Sequence, residues 1–334
     1  GERQPFAGGH DSAPALVCGC SGGRLGIATT RPAARRRGRE KPRSLDMNKS
    51  KTEPAALLFL FPATVVYLTV IVFPVGYSLY LSLFSGSGIR NWTFCGLQNY
   101  VSLFSDQVFL ISLRNSVIWM LLTLVVTTGI SLLLAVLLNK PFPGRTFLRG
   151  FFYFPSVVAL IAVAIIWRWI YNPNFGFINQ LLFSFGATTG QTWTSQSSSS
   201  LLACFAAAQW QAIGQPMILF LAGLQTIPGD VLEAATIDGA TGFKRFFMVT
   251  FPLLKETTVI VVSTLMIGAL KVYDIIRGLT DGGPNNASQV LATYMYSQTF
   301  DYNHWGYGAA IACFMVIMMV FIVVPYVKFT SRNQ

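Results

Sequence analysis

Residues 233–254 read EAATIDGATGFKRFFMVTFPLL, and long apolar runs flank them on both sides. Glu233, Asp238, Lys244 and Arg245 surround a central Gly239. Asp230 is placed to cap a first helix with Glu233 three positions on, the spacing of a capping box. That helix is expected to run through Ile237 and stop at Gly239, because glycine adopts positive φ at little cost and so permits a chain reversal. Thr241 is placed to cap a second short helix carrying Phe243, Phe246 and Phe247. Pro252 then opens a further helix, where its missing N–H is not needed. The product is a helix–turn–helix with one apolar and one charged side. By itself such a segment would also suit a helix lying against lipid headgroups.

The surrounding composition decides what the elbow is attached to. Of 334 residues, 53% are hydrophobic and only 11% charged, against about 25% charged in soluble domains. Charge is absent from whole stretches: 36 residues between Glu53 and Arg90, 25 between Arg114 and Lys140, and 26 between Asp301 and Lys328. Roughly 20 helical residues cross a hydrocarbon core, so each run can cross once. Six spans are expected, at 55–84, 113–138, 151–171, 201–224, 252–276 and 307–328. Pro62, Pro74, Pro155 and Pro216 lie inside them, which neighbouring helices can accommodate. The fold class is therefore all-α and membrane-integral.

Loop charges orient the spans. With a cytoplasmic N-terminus the inside receives Lys49, Lys51, Lys140, Arg145, Arg149, Lys244, Arg245, Lys255, Lys328 and Arg332. The other side receives Arg90, Arg114, Arg168, Lys271 and Arg277. The excess of positive charge thus places both termini, and the elbow, in the cytoplasm. The net charge of +11 is not the signature of a nucleic-acid groove, because in the main body it falls in short loops beside spans. Residues 1–46 are rich in Gly, Ala and Arg without apolar periodicity. They are expected to form a disordered basic extension foreign to the fold, with Met47 the natural start; the alternative is a basic arm on anionic headgroups.

No chemistry-bearing constellation emerges. There is no GxxxxGK[ST] to cradle phosphates and no HExxH. GCSGG at 19–23 lies in the Gly-rich extension, without the strand and helix a nucleophile elbow requires. His10 and His304 lack ligand-spaced partners, and Cys18, Cys20, Cys95, Cys204 and Cys313 have neither zinc nor disulfide spacing. No catalytic site, metal or cofactor is expected in this chain.

The full string gives Glu233, Ala234 and Ala235, then Gly239 after three residues, Val249 after nine more, and Phe251–Pro252. It resembles the EAA motif of ABC importer permeases. The resemblance extends over almost all of residues 47–334. CGLQNYVSLF, GFFYFPSVVALIAVAIIWRWIYNPNFGFIN, LTDGGPNNASQVLATYMYSQTF and GYGAA are similar to segments of the carbohydrate branch, and of its maltose-type "F-type" subunit in particular. Val249 and Phe251 stand for the usual Ile and Leu. The resemblance implies a type I importer permease fold, with residues 47–334 the permease and 112–328 its core domain. It implies a bacterial inner-membrane protein that works with a second "G-type" permease, a cytoplasmic ATPase dimer that uses ATP and Mg, and an extracytoplasmic solute-binding protein. It also implies that Glu233, Ala234, Ala235, Asp238, Gly239, Ala240 and Pro252 form the helix that couples to the ATPase.

Polar residues inside spans are costly, roughly 2.5–3.5 kcal/mol for Lys or Asp at a helix centre, and so mark candidate paths. Gln209, Trp210, Gln211 and Gln215 make the fourth span unusually polar, and amides with an indole suit sugar hydroxyls and C–H faces. Lys271, Tyr273 and Asp274 lie toward the outer part of the fifth span. Lys271 and Asp274, three apart on one helical face, make either a salt bridge or part of the path. Leu265 and Ala269 stand where maltose permeases carry polar side chains, which leaves the cargo open. A permease for polyamine, phosphate or glycerol phosphate is the nearest alternative, and an anion site should show more Arg than Arg168. An ion-coupled secondary transporter would not need the elbow, and the chain shows no internal repeat.

Overall fold

The computed structural model describes residues 54–86 and 92–331, and these are mostly helical. The expectations for residues 1–46 lie outside them. A compact unit begins at Leu58.

α1 (Pro54–Tyr67) passes through a π-turn at Leu68–Val72 into α2 (Phe73–Leu81), so the first span is one continuous helix despite Pro62. A two-stranded hairpin follows, β1 (Phe84–Ser85) with β2 (Thr93–Phe94), then the amphipathic α3 (Gln98–Ser105). α4 (Gln107–Leu122) and α5 (Thr128–Asn139) join through a second π-turn into a 33-residue span. It starts six residues before the expected 113, because Asp106 caps it by accepting from the amides of Val108 and Phe109 at 2.9 and 3.3 Å. α17 (Trp305–Ser331) closes the chain as the sixth span.

The interior spans depart from expectation. Residues 151–171 are not one helix. α6 (Arg145–Tyr153) ends in a 3₁₀ turn at Phe154–Val157, and α7 (Leu160–Ile170) leaves it at 101°. Pro155 has no N–H for the carbonyl four residues back, and Val158 and Ala159 fall into extended backbone. After α8 (Phe177–Ser184), the fourth span is α9 (Ser200–Ala212) followed by α10 (Gly214–Gln225), parted at Ile213. α11 (Gly229–Ile237), α12 (Gly242–Arg245) and α13 (Phe251–Leu253) form the elbow, and α14 (Lys255–Leu270) is the fifth span. That span ends at Leu270 rather than 276, and Lys271–Tyr273 are non-helical before α15 (Asp274–Leu279). α16 (Leu291–Tyr296) leads into α17. Three helices are long and apolar enough to cross a membrane, and three bent pairs reach that length together.

Three apolar clusters hold the bundle. Met217, Phe220 and Leu221 of α10 meet Ala135 and Leu138 of α5 and Val261 of α14. Trp119, Phe205, Ile275 and Ile276 pack together beside α7. Leu103, Phe109, Leu291 and Ile311 knit α3, α4, α16 and α17. Cys204 and Cys313 are buried free thiols.

The segment between α15 and α16 is bound to the bundle by polar side chains. Asp281, Asn285 and Asn286 sit at φ 54, 48 and 60°, a region tolerated best by Gly, Asn and Asp, and Gly282 sits at 80°. The Asn115 amide of α4 donates to the carbonyls of Ala287 and Gln289, both at 2.9 Å, and the Ser116 hydroxyl accepts from the Leu291 amide at 2.9 Å. Asp106 also accepts from the Tyr307 hydroxyl at 2.7 Å and from Tyr294, tying the entrance of α4 to α16 and α17. Burial works against its charge. The bonds from both tyrosines and two backbone amides outweigh that, and hold its carboxyl below the usual carboxylate range.

Asn115→Leu keeps the bulk of a buried side chain but strands two buried carbonyls, a cost of roughly 1–3 kcal/mol. The purified variant should melt at lower temperature and be cut faster by protease within 281–290; an unchanged melt and cleavage pattern would show that the tether is dispensable.

Candidate functional site

Two features carry the expected site residues: the elbow and a cavity among the spans it interrupts.

In the elbow, α11 ends in a full Schellman arrangement. Ala240 N–H donates to Ala235 carbonyl at 2.9 Å, Gly239 N–H donates to Thr236 carbonyl at 3.1 Å, and Gly239 sits at φ +80°. Ala235 and Ala240 are buried at this corner, while Glu233, Ala234, Asp238 and Gly239 are exposed. The Arg245 guanidinium donates to the Thr236 hydroxyl at 3.2 Å, fixing the second helix against the first. Ile237 and Phe243 are 86% and 85% exposed, so the corner presents apolar side chains outward beside its charges.

Three local expectations need correction. The N-cap of α11 is Pro228, and Asp230 lies within the first turn in place of capping it, so no capping box with Glu233 forms. Asp230 still complements the helix dipole there. Thr241 does precede the second helix in extended backbone, but its side chain makes no capping bond. That second helix runs from 242 through a π-turn to 253. The break falls at Leu254, two residues past Pro252, and α14 leaves at 73°. α10 and α11 meet at another 73° bend, so the elbow hangs between two arms, α10 and α14.

Both arms wall a cavity of about 250 Å³. Gln209, Gln211 and Gln215 line it with Trp119, Thr123 and Thr264, and no Asp, Glu, Lys or Arg is in the lining. Gln209 is 9% exposed, and its Oε1 accepts from the Thr127 hydroxyl at 2.5 Å. The Gln211 amide donates to the carbonyls of Ser156 and Val158 at 3.4 and 3.3 Å, groups left free where the third span breaks. The Ser131 hydroxyl donates to the Ile213 carbonyl at 2.9 Å, at the fourth span's own break. The two interruptions therefore sit against each other, and Gly214 allows it: a Cβ there would lie 2.7 Å from the Phe152 carbonyl oxygen.

The remaining expected residues are elsewhere. Trp210 is outside the lining, as are Lys271, Tyr273 and Asp274. Lys271 and Asp274 do not share a helical face, because α14 stops before them, and both are exposed. Tyr273 packs against Tyr296 with ring centroids 5.2 Å apart and the planes tilted by 46°, and Arg277 sits over the Tyr296 ring at 5.2 Å with ion pairs to Asp281 and Asp301. Sequence reading missed Thr123 and Thr264. Their hydroxyls donate to Trp119 and Ile260 carbonyls one turn back, a bond that makes threonine unremarkable in an apolar helix. Leu265 and Ala269 do line the cavity, as apolar wall.

Residues 127–332 match the family described as the binding-protein-dependent transport system inner membrane component. A probable ABC transporter permease protein, YurN of Bacillus subtilis, is 34% identical, over 86% of this chain and 99% of its own length. The trehalose/maltose transport system permease protein MalF of Thermococcus litoralis is 32% identical over 81% and 92%. A chain in the crystal structure of a bacterial ABC transporter that imports the acidic polysaccharide alginate superposes with TM-score 0.74 at 21% identity. The match covers 84% of this chain and 97% of that one, so the two share a fold.

At Gly214 the atoms nearest an added Cβ are backbone, the Phe152 oxygen and the Tyr153 Cα, and cannot swing aside. Gly214→Ala should destabilise the purified chain by roughly 1–3 kcal/mol through overpacking. Gly129→Ala, where nothing lies within 4 Å, should be neutral or mildly stabilising. Equal melting temperatures for the two variants would show that the breaks are not closely joined.

Proposed function

The chain belongs to the family of binding-protein-dependent transport system inner membrane components, and on that footing we propose that it is the permease subunit of a carbohydrate importer. In this reading it forms half of a translocation path with a second permease. It has no catalytic site or cofactor of its own and couples through its elbow to a separate cytoplasmic ATPase dimer that uses ATP and Mg. Cargo arrives on an extracytoplasmic solute-binding protein. Both termini and residues 229–250 face the cytoplasm, in keeping with the ten inside and five outside basic residues.

One observation carries the reading: the cavity is walled by α10 and α14, the two arms that leave the elbow. A push on the elbow from the ATPase reaches the cavity walls through rigid helix on both sides. Exposed Glu233, Ala234 and Asp238 supply the contact surface, and the buried Ala235 and Ala240 keep the corner compact. The lining argues for carbohydrate over an anion. Three amides, two hydroxyls and an indole can serve a polyol, whereas a phosphate in an uncharged apolar cavity would be left without a counter-charge.

Gly239→Val tests the coupling. A Cβ at this position meets nothing within 4 Å, so the substitution acts through backbone strain at φ +80° and through bulk toward the partner. Strain of at least about 1 kcal/mol is expected, more for a β-branched residue. The variant should insert normally yet lose ATPase co-purification, or lose the ATP hydrolysis stimulated by loaded binding protein. Glu233→Ala should act in the same direction more mildly. Wild-type hydrolysis and co-purification by Gly239→Val would remove the coupling role.

Sidedness is tested separately. Thr241→Cys should react with a membrane-impermeant thiol reagent from the cytoplasmic side and Asn285→Cys from the outside; the reverse pattern would invert the orientation.

A further inference from the structure

Between Asp106 and Asp230 the chain has no Asp or Glu, yet Lys140, Arg145 and Arg149 gather where α5 gives way to α6. Among the described residues no ion pair involves any of the three. Arg149 is pinned at this corner, its Nη2 donating to the Leu138 carbonyl at 2.7 Å. Its buried Nε finds no acceptor among the described residues. Positive charge is thus concentrated here without an ion-paired carboxylate among the described residues.

α6 is sided in a way that says what answers it. At 100° per residue, Leu148 and Phe152 point to the bundle, where they pack against the α5–α10 cluster. Phe147, Phe151 and Phe154 make a separate stripe and are 75%, 62% and 67% exposed. Arg145 and Arg149 fall on the opposite side of the helix from that stripe. The segment turns 101° away from α7, so the two cannot both follow the bilayer normal, and with α7 directed into the bilayer α6 lies along its surface. In that pose the phenyl rings dip toward the acyl chains and the cationic side stands level with the phosphates.

We infer that α6 and Lys140 form an interfacial seat for the headgroups of anionic phospholipid. The commitment to lipid over free phosphate comes from the phenylalanine stripe, which a soluble anion would leave exposed. The seat is independent of the cavity and of the elbow's role, and it makes the third span's break a membrane anchor on the same face as the elbow.

The test uses the full chain in mild detergent with equal amounts of phosphatidylglycerol and phosphatidylcholine of matched acyl chains, with bound lipid counted by native mass spectrometry. Wild type should retain phosphatidylglycerol in preference. Lys140→Gln and Arg145→Gln should each reduce that preference roughly fivefold, the effect of one surface charge. Lys271→Gln, which lies outside this cluster, should leave it intact. Raising salt to about 1 M shortens the screening length to roughly 3 Å and should abolish the preference in wild type. Equal retention of the two lipids by wild type would overturn the assignment, as would a preference that survives the double variant Lys140→Gln with Arg145→Gln. Should the double variant not accumulate, the salt titration decides on wild type alone, with persistence at 1 M the overturning result. Loss of the lipid when the chain is purified with its partner subunits would give this face to a subunit contact and equally overturn the proposal.

Discussion

A lipid bilayer offers no hydrogen bonds to a polypeptide backbone, and this structure is organised by that refusal. Where a helix is whole, the constraint is met internally. Where it breaks, another part of the chain must supply the missing partner. Gln211 serves the carbonyls of Ser156 and Val158, Arg149 serves Leu138, and Arg168 serves Gly278. Each of these links ties one helix's interruption to a neighbour. Discontinuity, which would weaken an isolated span, becomes the device that holds the bundle in register.

The same economy shapes the path from elbow to cavity. A straight span would pass a push at one end directly to the other. Here α10 and α14 meet the elbow at bends, and between them they carry the cavity wall. The elbow's stiffness comes from backbone bonds at its Schellman corner and from the Arg245–Thr236 contact, so little of a displacement need be absorbed locally. The outward Ile237 and Phe243 leave an apolar surface that soluble proteins rarely leave uncovered, consistent with a docking role for this corner.

Much of this was legible in the residues. The uncharged runs located the continuous spans, since length and apolarity alone define a crossing. Gly239 announced its turn because few other residues take positive φ. Gln209, Gln211 and Gln215 were conspicuous because amides are costly in an apolar run, and the structure brings all three to one cavity. What could not be read were the places where periodicity continues through a change of direction. Pro155 and Pro252 flag trouble without saying which residue yields, and the yielding residues are Val158–Ala159 and Leu254. The end of α14 at Leu270 is not marked by Gly or Pro, and Ile275 and Ile276 continue the apolar run beyond it, which is why Lys271, Tyr273 and Asp274 read as part of a helix they do not join. Asp106 was equally quiet, because a cap is recognised only once the helix start is known.

The bonds made by Gln209 and Gln211 have a further consequence for whatever passes them. Gln209 has its carbonyl oxygen occupied by Thr127, so the half of its amide left for the cavity is the N–H₂. Gln211 has its N–H₂ turned to the broken third span, so the half left over is the oxygen. Two neighbouring positions therefore present opposite polarity, one giving a proton and one taking it. A hydroxyl, which both donates and accepts, can face either. The bonds to Thr127 and to the broken third span thus leave behind a directional pattern, one donor and one acceptor, of the kind a hydroxyl-bearing molecule can answer.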